Sequence, residues 1–199
     1  MSDNQPVLLN LFIQIYRLFI DFSADNFVQL IDDFFIHEEE LAQDVASTIA
    51  ANIMNFITRA IGNHRDMTEE KAMEYVKKIV ASKYLEESGI FPADFFVNIS
   101  ILACSLEEVE WMEDFLKLGQ RRLAIQSRGK TMSIASHYFL FAKKEFKEVW
   151  NTRDKINPKG IRENLQIKVL VLRALYEVRM EVEEYLICLL YTSPSPRDS

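Results

Sequence analysis

SIASHYFLFAKKEFKEVWNTRDKI, residues 133–156, and ENLQIKVLVLRALYEVRMEVEEYL, residues 163–186, are the two stretches whose reading decides the fold. Laid one on the other, they pair Tyr138 with Ala174, Phe146 with Val182 and Val149 with Tyr185, each pair 36 positions apart (174 − 138). Both carry apolar side chains at helical spacing with polar residues between them. Each reads as a helix hairpin, and a hairpin that recurs needs its neighbour to bury its inner face. Asn157-Pro158-Lys159-Gly160 stands between them as a short insertion.

Outward from there the chain continues in helical pattern. Only five glycines and five prolines occur in 199 residues, with 49% hydrophobic and 27% charged residues, which favours helices over a turn-rich β fold. A first helix is expected over Val7–Phe22 and a second over Ala24–Phe35, with Ser23 capping it. Phe27, Leu30, Ile31, Phe34 and Phe35 form the inward stripe of that second helix. A third is expected from Glu38 to Ile61, stopped by Gly62-Asn63. Thr68 with Glu69 and Glu70 opens a fourth, which Gly89 closes, and Pro92 starts a fifth. Ser105-Leu106-Glu107-Glu108 reads as a capping box for a sixth, turning Val109, Met112, Phe115 and Leu116 inward, and Gly129 reads as the next break.

A repeat of about 34 residues is the period of tetratricopeptide (TPR) units. The run ASKYLEESGIFPADFFVNISILACSLEEVEWMEDFLKLGQRRL, followed by HYFLFAKKEFKEVW and KVLVLRALYEV, resembles a group of uncharacterised bacterial helical proteins with degenerate TPR-like units. The resemblance covers about residues 80–187 and, more loosely, 7–80. It rests on the Asn98 region, Glu110-Trp111 and the pattern Lys168, Leu170, Leu172, Tyr176, Glu177. These are packing features, so the resemblance implies an architecture and no activity. Phe139 and Val149 stand near positions where such units carry small residues. The expected fold class is all-α, with antiparallel helix hairpins stacked as a TPR-like right-handed array over 1–187. An irregular helical bundle is the alternative.

The last residues differ in character. CLLYTSPSPRDS, residues 188–199, ends the helical pattern at Thr192-Ser193-Pro194, and CLLYTSPSPRD resembles the translation of a sequencing-library adapter. On that reading 188–199 is a non-native or disordered tail and the array is truncated near Ile187. A cut inside the last hairpin exposes an apolar stripe, with Leu170, Leu172, Leu175 and Leu186 as its expected members, and invites self-association through that end.

Several chemistries are disfavoured. Gly129-Lys130-Thr131 lacks the glycine five residues earlier that a phosphate-binding loop needs, since that position is Ala124. His37-Glu38-Glu39-Glu40 places its groups on successive residues of a helix, where they diverge. His64 stands near Asp66 in a loop, and His137 beside Ala135 and Tyr138 reads as a structural imidazole. Ser100, Cys104 and Ser136 have no neighbouring base that marks a nucleophile. No catalytic residue, metal or cofactor is expected. Two cysteines, Cys104 and Cys188, make no disulfide framework, and Val7–Phe22 is shorter than the roughly 20 residues of a membrane span. A cytoplasmic, reducing location is expected, with no membrane role.

Charge separates along the chain. Residues 1–100 hold 16 acidic and 7 basic side chains, and residues 117–173 hold 4 acidic and 14 basic ones. Arg121, Arg122, Arg128, Lys130, Lys143, Lys144 and Lys147 are the candidate partner-binding residues. The expected function is a non-catalytic protein–protein interaction scaffold that takes a protein or peptide partner. The alternative is nucleic-acid binding through 117–173, against which the whole-chain charge of −7 argues. Tyr138, Phe139, Phe141, Phe146 and Trp150 interleave with the basic residues and read as core.

Overall fold

The computed structural model describes residues 5–63, 67–82, 91–156 and 161–178. Nearly all of these are helical, and no β-strand occurs among them. The chain forms two compact units, Met1–Leu102 and Ala103–Ser199.

In the first unit four helices run as α1 (Gln5–Ile20), α2 (Ala24–His37), α3 (Gln43–Asn63) and α4 (Glu69–Ala81). Consecutive helices pack on one another, and α1 also reaches α3. The α2 stripe is the centre of the core: Phe27, Leu30, Ile31 and Phe34 are fully buried, while Phe35 is half-buried. Phe27 sits 6.0 Å edge-on to Phe56 of α3 and 6.5 Å from Tyr75 of α4, so one ring ties three helices. Ser23 caps α2 as expected, accepting from the Asn26 N–H, and Thr68 caps α4 by accepting from the Lys71 N–H.

One boundary differs from the pattern reading. Glu38–Glu40 forms a single 3-10 turn, and α3 begins only at Gln43. Three successive carboxylates at the negative end of α2 disfavour continuing that helix, and Leu41 turns extended. Gly62 and Asn63 are the last two residues of α3. Gly89 and the His64–Asp66 pair lie outside the described residues.

Helix α5 (Ala93–Ser105) follows Pro92, whose carbonyl accepts the Phe96 N–H. Beyond it the second unit holds α6 (Val109–Arg122), α7 (Ile125–Ala142), α8 (Phe146–Thr152) and α9 (Ile161–Glu177). Helix α7 packs on α6, α8 and α9, and α8 packs on α9. Met112 and Phe115 are buried as expected, whereas Val109 and Leu116 are half-buried. Ile167, Leu170, Val171, Ala174 and Leu175 form the buried stripe of α9.

The expected capping box at Ser105 is not formed. Ser105 is the last residue of α5, and Glu108 stands at the N-cap of α6 without a side-chain cap bond. The backbone makes a different device there. Glu107 is left-handed at φ 54°, its N–H donates to the Cys104 carbonyl, and the Glu108 N–H donates to the Ala103 carbonyl. That pair of bonds is a Schellman closure. The same closure recurs at Lys144, φ 62°, with Lys144 N–H to the Phe141 carbonyl and Glu145 N–H to the Leu140 carbonyl. The two turns are 37 positions apart (144 − 107), each has a glutamate next, and each has an apolar residue opening the following helix, Val109 and Phe146. Lys144 Nζ lies 3.4 Å from Glu107 Oε2, so the two turns are neighbours in space.

Gly129 does not break the chain either. It lies inside α7, exposed, with open space where a Cβ would be. The break falls at Leu123-Ala124, where Leu123 is extended and buried and Arg128 folds back to donate twice to its carbonyl, at 3.1 and 2.8 Å. Asn157–Gly160 and the Val182 and Tyr185 members of the aligned pairs lie outside the described residues.

Two stability changes follow from these local geometries. Gly129→Ala adds about 0.5–1 kcal/mol by removing the backbone-entropy cost of an exposed helical glycine. Lys144→Gly adds about 1 kcal/mol by relieving a left-handed residue, because its exposed ion pair contributes little. Denaturant midpoints of the two variants check both, and a fall in either midpoint contradicts the geometry that motivates it.

Candidate interaction surface

His137 is 5% exposed on α7. Its Nδ1 lies 2.8 Å from the Ser133 carbonyl, which can only accept, so Nδ1 holds the proton and donates. Nε2 faces Thr152 Oγ1 of α8 at 2.9 Å, and the same hydroxyl lies 2.7 Å from the Glu148 carbonyl. The pair ties α7 to α8, in keeping with a structural imidazole.

Half-buried Cys104 and buried Tyr138 lie within electrostatic reach of each other. Burial pushes the Cys104 thiol from 9.0 up to about 11, against the opposing charge of Arg173. Burial also pushes the Tyr138 phenol from 10.0 up to about 12, with Cys104 adding to the rise. A thiol held in its protonated form is a poor nucleophile. Ser100 is fully buried and donates to the Phe96 carbonyl at 2.8 Å. His37 pairs with Glu40 at 3.2 Å. Among the described residues no group of three or more His, Cys, Asp or Glu could hold a metal ion.

The seven candidate basic residues divide into two groups. Arg121 and Arg122 end α6, and Arg128 and Lys130 lie in the first turns of α7. Lys143, Lys144 and Lys147 follow the other end of α7, about 20 Å along the axis at 1.5 Å per residue. Lys130 pairs with Glu163 of α9, Lys143 with Glu145, and Lys144 with Glu107, while Arg128 caps Leu123. Arg121 and Lys147 are exposed. Glu163 and Glu107 reach Lys130 and Lys144 from another helix and another turn, whereas Glu145 lies two positions from Lys143.

What lies open beside the second basic group is apolar. The outer face of α9 exposes Leu165, Val169 and Tyr176 at 62%, 47% and 73%. The stripe expected there was Leu170, Leu172, Leu175 and Leu186. Leu170 and Leu175 are instead buried, Leu172 is half-buried, and Leu186 lies outside the described residues. At 100° per residue Leu170, Leu172 and Leu175 spread over about 200° of the helix, so they share no single face. Val169, Leu172, Arg173, Tyr176 and Glu177 line a groove of about 420 Å³. A second depression of about 530 Å³, lined by Lys144–Glu148 and Val178, adjoins it along the chain at Glu177-Val178. Arg173 lies over the Phe141 ring at 4.9 Å, and Phe141 meets Phe146 at 5.1 Å, so the floor between α7, α8 and α9 is aromatic.

No family model matches the chain, and neither a curated protein nor a solved structure matches it. No helix among the described residues is long and apolar enough to cross a membrane.

The raised acids set a pH dependence. Folded Cys104 and Tyr138 keep protons that the unfolded chain gives up at lower pH, near 9.0 and 10.0. Stability therefore falls as pH rises from about 9 towards 12, because the unfolded state binds fewer protons there. Denaturant midpoints taken across this range give the slope, and Cys104→Ala makes it shallower. An unchanged slope in that variant means that Cys104 is not buried in this way.

Proposed function

We propose that this chain is a non-catalytic protein–protein interaction scaffold built of TPR-like antiparallel helix pairs. The observation that carries the reading is the recurrence of one turn at 37 positions, with the two copies in contact through Lys144 and Glu107. A helix–turn–helix unit that repeats and stacks on its neighbour is the arrangement of helical-repeat proteins. A third copy of the local sequence, Arg179-Met180-Glu181-Val182, follows Lys143-Lys144-Glu145-Phe146 at a distance of 36. The bonding of the core polar groups supports a non-catalytic role: His137 is held by both ring nitrogens and the Cys104 thiol by burial.

The surface assigned to the partner is the outer face of α9 with the adjoining 143–148 turn. It offers an apolar groove for side chains spaced three or four apart, with Arg173 and Lys147 at its margin for an acidic residue. Nucleic-acid binding through 117–173 is less well supported, since three of its seven candidate cations are engaged by carboxylates and the groups stand about 20 Å apart.

Peptides selected from a random display library on the full chain test this reading by calorimetry. Tyr176→Glu weakens the selected peptides by about tenfold or more, as expected for an aromatic anchor. Lys147→Glu weakens the acidic ones, and Ile36→Glu in the first unit leaves binding unchanged. Selected peptides indifferent to Tyr176→Glu would overturn the assignment. Tight oligonucleotide binding that collapses with added salt would favour the nucleic-acid reading instead.

A further inference from the structure

Helix α1 is apolar on both of its faces, and the first unit uses only one. Leu11, Ile15 and Leu18 are buried against α2 and α3, together with Gln14, whose amide donates to Asp33 at 2.7 Å. Around the rest of the helix Leu9, Phe12, Ile13, Tyr16, Phe19 and Ile20 are 39–67% exposed, with Phe19 at the flank also meeting Phe56 of α3 at 5.0 Å. At 100° per residue these six fall within an arc of about 120°, and no polar residue interrupts it. A helix apolar nearly all round belongs inside an assembly.

We infer that this outer face of α1 is an interface with a second copy of the chain, formed by antiparallel pairing of the two α1 helices. Area is the first ground. On ordinary side-chain areas the six residues present roughly 600 Å², against about 800 Å² per partner in a standard stable interface. That is also at the upper end of the patches that soluble monomers leave bare, about 300–600 Å². Charge is the second ground. The segment from Gln5 to Asp21 carries only Arg17 and Asp21, and so is neutral in itself.

A twofold axis midway between Ile13 and Tyr16 sets Leu9 against the partner's Ile20 and Ile13 against the partner's Tyr16. It brings Arg17 beside the partner's Asn10 at one edge. Arg17 and Asp21 then stand level with residues 12 and 8 of the partner, so no charge faces its like. A lipid surface fits less well. Membrane-surface helices carry several Lys or Arg on their polar side, and α1 has one basic residue in a half-chain of net negative charge.

Sedimentation equilibrium of the full chain tests the inference. A dimer is expected, with Leu9→Glu and Tyr16→Glu each raising its dissociation constant by at least about 30-fold while helicity by circular dichroism stays unchanged. Leu165→Glu on α9 leaves the dimer intact, which separates this interface from association through the α9 groove. Ile13→Cys with Tyr16→Cys cross-links two copies under oxidation in a Cys104→Ser, Cys188→Ser background. A monomer at all concentrations, a dimer indifferent to Leu9→Glu and Tyr16→Glu, or a monomer that binds neutral phosphatidylcholine vesicles through α1 would each overturn it.

Discussion

Two backbone hydrogen bonds at the end of α7, from Lys144 N–H to the Phe141 carbonyl and from Glu145 N–H to the Leu140 carbonyl, set the geometry on which the second unit depends. They use carbonyls that a helix end otherwise leaves without partners, and they demand a left-handed residue at Lys144. Once that residue is fixed, the chain must leave the helix sharply and restart at Phe146, which lays α8 back on α7. The turn at Glu107 does the same between α5 and α6. Neither position carries glycine, so each turn stores about 1 kcal/mol of left-handed strain that tertiary packing offsets.

Packing in the first unit rests on a different device. Phe27 contacts rings from α3 and α4, and the Gln14–Asp33 hydrogen bond fixes how α1 lies on α2 within an otherwise apolar contact. A part-buried polar pair adds little net stability, but a shifted register would leave the buried Gln14 amide unpaired at a cost of about 1–3 kcal/mol. Apolar burial makes α1 stick, and the polar pair decides which way round it sticks. The face left outside by that choice is as apolar as the face inside.

In the second unit several polar side chains are held by the fold. The His137 imidazole, the Thr152 hydroxyl, the Cys104 thiol and the Tyr138 phenol are groups that could act on a substrate elsewhere, and here they bond to backbone or lie buried. Lys130, Lys143 and Lys144 are likewise drawn into pairs with carboxylates. Open on α9 are the apolar groove and its charged margin.

Periodicity in the sequence was enough to determine that the chain is helical, where α2 and α4 begin, and which residues of α2 are core. Those features depend on neighbours within one or two turns, namely an oxygen cap and an i, i+3, i+4 stripe. The turns at Glu107 and Lys144 were also within reach, through the shared Glu-apolar pair at 108–109 and 145–146, but the Ser105 capping signal competed with them. Gly129 misled because an exposed glycine costs a long helix only about 1 kcal/mol, too little to end it. Other features were decided by tertiary structure alone. Both faces of α1 and α9 are apolar, so which face is buried depends on the helices that meet them. Whether a lysine is available depends on a carboxylate brought from another turn or helix, as Glu163 is to Lys130 and Glu107 to Lys144. Such contacts join residues 33 and 37 positions apart (163 − 130 and 144 − 107), and a local pattern carries no record of them.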